Sequence, residues 1–323
     1  MSQHPGFQQM DKLSGQKEAF FFLISFLMDE VRIYSRSDIE NQKILIDFPR
    51  IKNVDYQPAP IPDFSWQSIP QDIHTYQKGF DFVKDNLMKG NSYLANYTME
   101  SELQTSLDLG QIFRFSKAKY KVMVPDEFVF FSPETFVEIN DNHIFTHPMK
   151  GTIDASTDDA ENVLKSNPKE LAEHYTVVDL LRNDLSMVAD VVKVKDFRRI
   201  DYIRSQQKNL LAMSSEIEGE IKPEFRPKIG TVLKKLLPAG SILGAPKAKT
   251  LEIIRQAENY QRGFYTGIAG YFDGQNLDSC VMIRFIEKRG HKLYFKSGGG
   301  ITHKSDLVSE YEELKNKIYV PIY

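Results

Sequence analysis

The chain has 323 residues, of which 41% are hydrophobic and 26% are charged, and its formal net charge is −3 at pH 7. This composition is typical of a globular protein with a large core, and the lack of a basic stripe argues against a nucleic-acid-binding protein. The single cysteine, Cys280, excludes an internal disulfide and a cysteine-based metal cage. Because Cys280 stands in an alternating apolar run, we expect a buried strand thiol rather than a nucleophile.

The first apolar run extends from Ala19 to Met28 and is too short to cross a bilayer. Asp29 and Glu30 follow it directly, and no small-residue cleavage site is present, which argues against a signal peptide. The run predicts a strand that is buried on both faces and continues through Val31–Tyr34. We therefore expect a cytoplasmic protein with no membrane partner.

The rest of the chain mixes helical and strand patterns without strict alternation, which favours an α+β fold over a doubly wound sheet. A proline-rich stretch at Gln57–Pro62 predicts an extended surface connection. Helical spacing is present at His74–Met88, at Pro168–Met187, from Pro246 onwards and at Asp306–Ile318. Strand-like runs are present at Tyr93–Tyr97, Ile112–Phe115, Phe128–Phe131, Phe136–Phe145, Tyr265–Phe272, Ser279–Phe285 and Lys292–Lys296. We expect a single domain over residues 1–323, with a short N-terminal strand region at 1–70 and the chemical motifs at 71–323.

Two pairs of glutamates, each three residues apart on a predicted helix, are candidate metal ligands. Glu170 and Glu173 lie on the first long helix, and Glu310 and Glu313 lie on the last. This spacing puts both members of a pair on one helical face. Four carboxylates from two facing helices would suit Mg²⁺, which prefers oxygen ligands. A solvated helix face explains the same spacing, and the sequence does not show that the helices face each other.

Two glycine loops are predicted after apolar runs. Gly298-Gly299-Gly300 comes after the strand-like run that ends at Ser297, and Pro238–Lys247 opens a helix. Backbone N–H groups at a strand end or a helix start bind carboxylates and phosphates. The second segment is neither a P-loop nor a dinucleotide-binding fingerprint, and a tight turn explains either segment as well.

The segment His147–Thr152 and Glu134 upstream of it contain candidate catalytic groups. A lysine such as Lys150 becomes a nucleophile when its ammonium is deprotonated. A carboxylic acid such as Glu134 protonates a leaving hydroxyl when its surroundings keep it protonated. Taken alone, each residue would usually be a surface group, and its interest comes from the motifs around it.

Several motifs together resemble those of the chorismate-utilising enzymes. They are, in chain order, Glu170–Asp184, Gly240–Lys247, Arg262–Gly267, and Gly298–Ile301 with Ser309–Glu313. The family includes anthranilate synthase component I, aminodeoxychorismate synthase component I, isochorismate synthase and salicylate synthase. The resemblance extends over about residues 70–323. It implies one α+β domain in which two large packed sheets, flanked by helices, hold the active site in a cleft between them.

The resemblance also implies a role for each matching residue. Glu173 and Glu313 would be the principal Mg²⁺ ligands, with Glu170 and Glu310 supporting through water, and the metal would hold the ring carboxylate of chorismate. Glu134 would be the general acid. The groups that hold the rest of the substrate would be Tyr265, Arg284 and the backbone of Gly298, Gly299 and Gly300 at the enolpyruvyl carboxylate, Gly151 and Thr152 along the ring, and Lys317 close to the metal.

Position 150 discriminates within this family. Anthranilate synthases tend to carry a small residue there, whereas aminodeoxychorismate synthases carry a lysine. Lys150 would attack C2 of chorismate while Glu134 protonates the departing 4-hydroxyl, and ammonia would then add at C4 and expel the lysine amine. Leu94 stands where isochorismate and salicylate synthases carry a lysine base, which disfavours addition of water. The predicted activity is that of aminodeoxychorismate synthase component I, in the synthesis of 4-aminobenzoate and folate.

Two alternatives stay open at this point. One is anthranilate synthase component I, and the other is a catalytically weak regulatory subunit with the same fold. The second is suggested by Leu94, Ala212 and Leu243, which depart from the residues usual in the family. In every case that uses ammonia, we expect either a separate glutamine amidotransferase subunit or free ammonia as its source, because Cys280 does not resemble a glutaminase nucleophile.

Overall fold

The structure is a computed structural model that describes residues 4–56, 60–203 and 209–320. Within these ranges it describes all side chains except those of residues 150, 152, 168–170, 172, 173, 203 and 210. The proline-rich prediction at Gln57–Pro62 falls partly outside the described residues, and residues 60–65 have no regular secondary structure.

The described helices and strands agree in most places with the predicted pattern. The helices are α1 (Pro5–Gly15), α2 (Arg36–Asn41), α3 (Ile73–Met88), α4 (Leu109–Phe115), α5 (Ala160–Ser166), α6 (Pro168–Ser186), α7 (Ile229–Leu236), α8 (Gly240–Leu243), α9 (Lys247–Ala257) and α10 (Leu307–Asn316). The strands are β1 (Phe20–Ile24), β2 (Val31–Tyr34), β3 (Leu45–Asp47), β4 (Trp66–Ile69), β5 (Leu94–Thr105), β6 (Tyr120–Val124), β7 (Phe128–Ser132), β8 (Thr135–Asn140), β9 (His143–Thr146), β10 (Met149–Asp154), β11 (Ala189–Ile203), β12 (Leu210–Ile221), β13 (Gly244–Ala245), β14 (Ile268–Phe272), β15 (Leu277–Val281), β16 (Phe285–Arg289) and β17 (Lys292–Ile301).

The described strands form two antiparallel sheets. Sheet A has the order β10-β12-β9-β8-β15-β14-β1-β2, and β11 pairs with β12. Sheet B has the order β13-β5-β17-β16-β7-β6-β3, and β4 pairs with β5. Every pairing between described strands is antiparallel, which confirms the α+β class and argues against a doubly wound parallel sheet.

Strand β1 shows how the core is layered. Its residues Phe20, Phe22 and Ile24 pack into a cluster with the inner faces of α1, α6 and α7. Phe21 and Leu23 point to the opposite face, where they pack against residues of sheet B. Since successive side chains of a strand alternate between its faces, a continuous apolar run is required here. The prediction of a strand buried on both faces is confirmed.

The two sheets face each other, and the helices lie outside them. The cluster between the sheets contains Leu23 and Cys280 from sheet A and Phe130 and Phe285 from sheet B. Helices α3, α9 and α10 cover one part of the outer face of sheet B, and α4 covers another. Cys280 is fully buried, and burial raises the pKa of its thiol, which confirms a core cysteine rather than a reactive one. No described helix combines the length and the apolar composition needed to cross a bilayer.

The strand predicted at Ile112–Phe115 is wrong, because these residues belong to α4. Asp108 caps this helix by accepting a hydrogen bond from the backbone N–H of Gln111, and the Gln111 side chain accepts one from the backbone of Asp108. Such a capping box stabilises a helix start. Four apolar residues are too few to distinguish a strand from one turn of a buried helix.

The apolar run that begins at Ala19 is a hairpin rather than one continuous strand. The backbone N–H of Ser25 donates to the carbonyl of Glu30 at 2.9 Å, and its hydroxyl donates to Asp29 at 2.6 Å, which closes a turn between β1 and β2. The region at 1–70 also contains α1 and α2, so its description as a strand region is incomplete. The predicted strand at Phe136–Phe145 is likewise a hairpin, formed by β8 and β9.

Candidate active site

The glycine run lies inside β17 rather than in a loop after it, which corrects the prediction. Gly298, Gly299 and Gly300 pair with residues 98, 97 and 96 of β5. Strand β16 flanks the opposite edge of β17 only as far as Lys296, so the glycine part of that edge has no strand neighbour within the described chain. A Cβ atom at Gly298 would lie 2.4 Å from the carbonyl oxygen of Tyr97, so only glycine fits there.

Three charged side chains from α10 and its C-terminal end converge on Gly299. A Cβ atom placed there would lie 3.4 Å from Oε2 of Glu310, 3.5 Å from Oε1 of Glu313 and 3.7 Å from Nζ of Lys317. The Lys317 ammonium lies 2.7 Å from Oε1 of Glu313 and donates to the carbonyl of Gly298 at 2.9 Å. The structure therefore brings Gly299 of the glycine run together with the Glu310–Glu313 pair and Lys317.

The oxygen donors at Gly299 fit a hard divalent cation. Glu310 is buried, and its Oε1 accepts a hydrogen bond from Ser305 at 2.7 Å, while its Oε2 is the atom near Gly299. Carboxylate oxygens are the protein ligands that Mg²⁺ prefers. Helix α6 contains Glu170 and Glu173, but their side chains lie outside the described ones, and the described residues contain no group of three or more such ligands.

Glu134 lies between β7 and β8 and lines a small cavity. Ser241 donates a hydrogen bond to its Oε1 at 2.7 Å, and the backbone carbonyl of Glu134 accepts one from Val281 at 3.1 Å. Three predicted segments meet at this cavity: that of Glu134, the one that leads to position 150, and Gly240–Lys247 through Ser241. The other lining residues are Thr135, Phe136, Thr146, His147, Pro148, Met149, Val177 and Leu181.

A β-bulge interrupts β10 beside this cavity. The register against β12 shifts between Lys150, which is opposite Met213, and Thr152, which is opposite Ala212, so that Gly151 is the additional residue. Gly151 has a φ of 77°, which glycine adopts without strain. Bulges change the direction of neighbouring side chains and are common beside active sites. The side chains of Lys150 and Thr152 themselves lie outside the described ones.

A series of contacts connects the Glu134 cavity with the glycine run. A Cβ atom at Gly300 would lie 3.1 Å from Cδ1 of Leu94, and one at Gly244 would lie 1.8 Å from the carbonyl oxygen of Leu94. Gly244 has a φ of 109°, so both its conformation and this close approach require glycine. Ser241, three residues before Gly244, is the partner of Glu134. The start of β5 thus links the Glu134 cavity with the glycine run of β17.

Tyr265 and Arg284 lie near points at which the chain crosses from one sheet to the other. Tyr265 is buried, with its ring centroid 6.1 Å from that of Phe285, and burial raises the pKa of its phenol. Arg284 directly precedes β16, and its guanidinium carbon lies 5.0 Å from the ring centroid of Tyr319. Among the residues that the structure describes, no carboxylate forms an ion pair with Arg284.

The chain matches the family model described as chorismate binding enzyme over residues 25–322. It belongs to the chorismate-binding enzyme family. A protein of Haemophilus influenzae named "uncharacterized PabA-like protein" is 50% identical over 315 residues, which cover 98% of this chain and 96% of that protein. A PabA-like protein of Pasteurella multocida is 47% identical over 323 residues, which cover 100% of both chains.

A solved structure of another protein has the same fold. Anthranilate synthase component I from Streptococcus pneumoniae matches with a TM-score of 0.75 at 20% identity, over 98% of this chain and 85% of that chain. At this identity the likeness shows the fold alone. It confirms the predicted chorismate-utilising fold with two large sheets and outer helices.

Two charged residues of the chorismate-binding motifs have structural partners that the sequence did not reveal. Asp184 in α6 and Lys247 at the start of α9 form an ion pair at 2.7 Å, with side chains only 10% and 20% exposed. The Lys247 ammonium also donates to the carbonyl of Leu236 at 2.7 Å. The pair fixes α9 against α6 and so helps to place Ser241, which lies in the short segment before α9.

The arginine of the Arg262–Gly267 motif is also structural. Arg262 is almost fully buried and pairs with Glu258 at 2.6 Å, and it donates to the carbonyl of Asn96 in β5 at 2.6 Å. Glu258 in turn accepts a hydrogen bond from the backbone of Thr98. This network ties sheet B to the segment that leads into β14 of sheet A, directly beside Tyr265.

The three departures from the usual family residues are buried. Leu94 is 7% exposed, and Ala212 and Leu243 are fully buried. Ala212 lies opposite Thr152 across the β10–β12 pair, and Leu94 contacts the glycine run. Ala212 and Leu94 therefore adjoin predicted substrate-binding segments without adding a polar group to them, whereas Leu243 packs with Phe26, Leu251 and Ile254.

Proposed function

We propose that this chorismate-binding enzyme is an aminodeoxychorismate synthase component I, which replaces the 4-hydroxyl of chorismate by an amino group. The observation that supports this most directly is the lysine at position 150. It follows Met149, and Met149 and Glu134 line the same cavity. Lys150 as the nucleophile and Glu134 as the acid would then act on the same six-membered ring of chorismate.

The proposed reaction has two substitutions. The neutral amine of Lys150 attacks C2, the ring double bonds shift, and the bond from C4 to its hydroxyl oxygen breaks as Glu134 donates a proton, which releases water. Ammonia then adds at C4, the double bonds return, and the bond between C2 and the lysine nitrogen breaks. Proton loss from the new ammonium restores Glu134 to its acid form. Ser241, which donates to Glu134, would hold the acid in position.

Mg²⁺ is the proposed cofactor. Glu313 and Glu173 would be its principal ligands, and Glu310 and Glu170 would support them through water. When bound, the ion would neutralise the ring carboxylate of chorismate. The convergence of Glu310 and Glu313 near Gly299 supports this assignment.

The enolpyruvyl carboxylate would bind at the other end of the site. Arg284 suits this role, because its planar fork binds a carboxylate through two parallel hydrogen bonds and it has no described acidic partner. Tyr265 and the backbone of Gly298–Gly300 would complete this end. Gly151 and Thr152 would line the ring, and Lys317 would contact the substrate near the metal.

Ammonia would come from a separate glutamine amidotransferase subunit in the cytoplasm. Cys280 is the chain's single cysteine and is fully buried with a raised pKa, so it is unsuited to be a glutaminase nucleophile. The product would serve the synthesis of 4-aminobenzoate and folate.

Identifying the product tests the proposal. Purified protein is incubated with chorismate, MgCl₂ and an ammonium salt, with and without the lyase that converts aminodeoxychorismate to 4-aminobenzoate. We expect 4-aminobenzoate only when both ammonium and the lyase are present. Fluorescent anthranilate as the main product, formed without the lyase, would show an anthranilate synthase instead. Absence of turnover would favour the regulatory subunit that the buried Leu94, Ala212 and Leu243 suggest.

A further inference from the structure

The segment that follows α10 is anchored on both sides of one exposed tyrosine. Ile318 is 7% exposed and belongs to the cluster on the outer face of sheet B, and Val320 packs against the same cluster. Tyr319 lies between them and is 42% exposed. The backbone N–H of Tyr319 also donates to the carbonyl of Lys317 at 3.0 Å. The backbone at Tyr319 is therefore held against sheet B by buried Ile318 on one side and partly buried Val320 on the other.

The Tyr319 ring lies against the guanidinium of Arg284. The distance from the guanidinium carbon to the ring centroid is 5.0 Å, within the range of a cation–π contact. Other arginines of this chain are held by carboxylates: Arg262 pairs with Glu258, and Arg289 pairs with Glu100. In the described part of the chain, the Arg284 guanidinium instead contacts the ring of Tyr319.

We propose that Tyr319 is a positioning residue for Arg284. An arginine side chain loses rotamer freedom when it is held in one geometry, and a guanidinium held over a ring has lost part of that freedom before the ligand arrives. A cation–π contact uses the positive charge of the guanidinium rather than its N–H donors, which stay able to bind a carboxylate. This inference rests on the proposed function only in taking chorismate as the ligand of Arg284.

Two substitutions at position 319 separate the ring from the hydroxyl. Tyr319→Ala removes the ring, and we expect the KM for chorismate to rise about two- to fivefold, which is the factor that an exposed cation–π contact contributes. The kcat is expected to stay unchanged, since the contact acts on bound substrate and transition state alike. Tyr319→Phe keeps the ring face and is expected to match the wild type.

A matched control is available on sheet B. The guanidinium carbon of Arg289 lies 4.5 Å from the ring centroid of Tyr294. This pair lies outside the candidate site. Tyr294→Ala removes a contact of the same kind and is expected to leave the KM unchanged. Thermal unfolding of each variant is measured in parallel. Tyr319→Leu, which keeps an apolar side chain to cover the surface, is expected to raise the KM as Tyr319→Ala does.

A double-mutant cycle decides whether Tyr319 acts through Arg284. In the Arg284→Ala background, Tyr319→Ala is expected to have no further effect on chorismate binding, because the group that it supports is gone. An unchanged KM for Tyr319→Ala, or the same fold increase in both backgrounds, would overturn the proposal, and so would a loss confined to kcat.

Binding is also measured by calorimetric titration with chorismate and MgCl₂ in the absence of ammonium. This affinity does not depend on which product is formed. If the product is anthranilate, the proposed function fails while the Tyr319 proposal is still decided by the affinity ratio of the variants.

Discussion

At the scale of single residues, the charged side chains of the motifs differ in the partners that the chain itself provides. Arg262 is buried against Glu258, whereas Arg284 has an aromatic ring and no described carboxylate. Buried ion pairs maintain the position of their neighbours, and a guanidinium without an acidic partner is available to a ligand. This difference supports a structural role for Arg262 and is consistent with the proposed ligand-binding role of Arg284.

Replacement of Lys150 tests the covalent route. Lys150→Ala should leave only slow direct amination, and we expect ammonium-dependent turnover to fall about 10²-fold or more, since covalent catalysis of this kind contributes a few kcal/mol. Turnover is measured by coupling to 4-aminobenzoate formation. Lys249→Ala, at an exposed position on α9, is the control and should keep wild-type activity. A Lys150→Ala enzyme with the full rate would eliminate lysine as the nucleophile.

Replacement of Glu313 tests the metal assignment. Glu313→Gln removes a negative charge near Gly299, and we expect the Mg²⁺ concentration for half-maximal activity to rise at least about tenfold. Direct calorimetric titration of Mg²⁺ should show the same weakening. Glu312→Gln is the matched control, because Glu312 is a half-exposed neighbour that pairs with Lys315. Identical Mg²⁺ titrations for Glu313→Gln and wild type would contradict the ligand role.

At the scale of elements, helix α6 presents both a proposed metal-binding end and an ion pair that holds it to α9. Glu170 and Glu173 lie near its start, and Asp184 lies near its end. Because Asp184 pairs with Lys247, the position of α6 and the position of the segment that contains Ser241 depend on each other.

Breaking this ion pair should destabilise the protein. Asp184→Asn leaves the largely buried ammonium of Lys247 without its counter-ion, and we expect the free energy of unfolding to fall by about 3 kcal/mol. Asp179→Asn is the control on the same helix, since the Asp179–Arg182 pair is half-exposed and should contribute less than about 1 kcal/mol. Urea unfolding measures both. Equal losses of unfolding free energy in the two variants would show that burial does not strengthen the Asp184–Lys247 pair.

At the scale of the whole molecule, stability depends on the apolar clusters on both faces of the sheets and on cations buried beside them. Lys121 in β6 is 3% exposed, and its ammonium donates to the carbonyls of Phe113 and Ser116 at the end of α4. Burial lowers the pKa of Lys121 from 10.5 to about 8. Its charged form is therefore less favoured in the folded state than in the unfolded chain.

This lowered pKa predicts a pH dependence of stability. Between pH 8 and pH 10.5 the unfolded chain binds more protons at Lys121 than the folded protein, so the contribution of this residue to the free energy of unfolding rises with pH and is lost as the pH falls through 8. From pH 7.5 to 9.5 we expect wild type to gain about 2 kcal/mol relative to Lys121→Met in urea unfolding. Lys249→Met, an exposed control, should follow wild type. Parallel pH profiles for wild type and Lys121→Met would contradict the prediction.

Local patterns in the sequence were sufficient for much of this fold. The doubly apolar run of β1 and the helical period predicted at Pro168–Met187 depend on neighbours along the chain. The structure contains a strand at Phe20–Ile24 and a helix at Pro168–Ser186. The run at Ile112–Phe115 was misassigned because four residues do not define a period, and the decisive cap at Asp108 lies outside it.

The sequence by itself determined the family, the α+β class and the candidate residues, because motif order and periodicity are properties of the linear chain. Only the tertiary structure decided which candidates meet. Glu134 and Ser241 are 107 positions apart, and Arg284 and Tyr319 touch only because the segment after α10 packs on sheet B. Such contacts depend on the relative placement of two sheets and their outer helices, which is set by packing across the whole core and leaves no periodic signal along the chain.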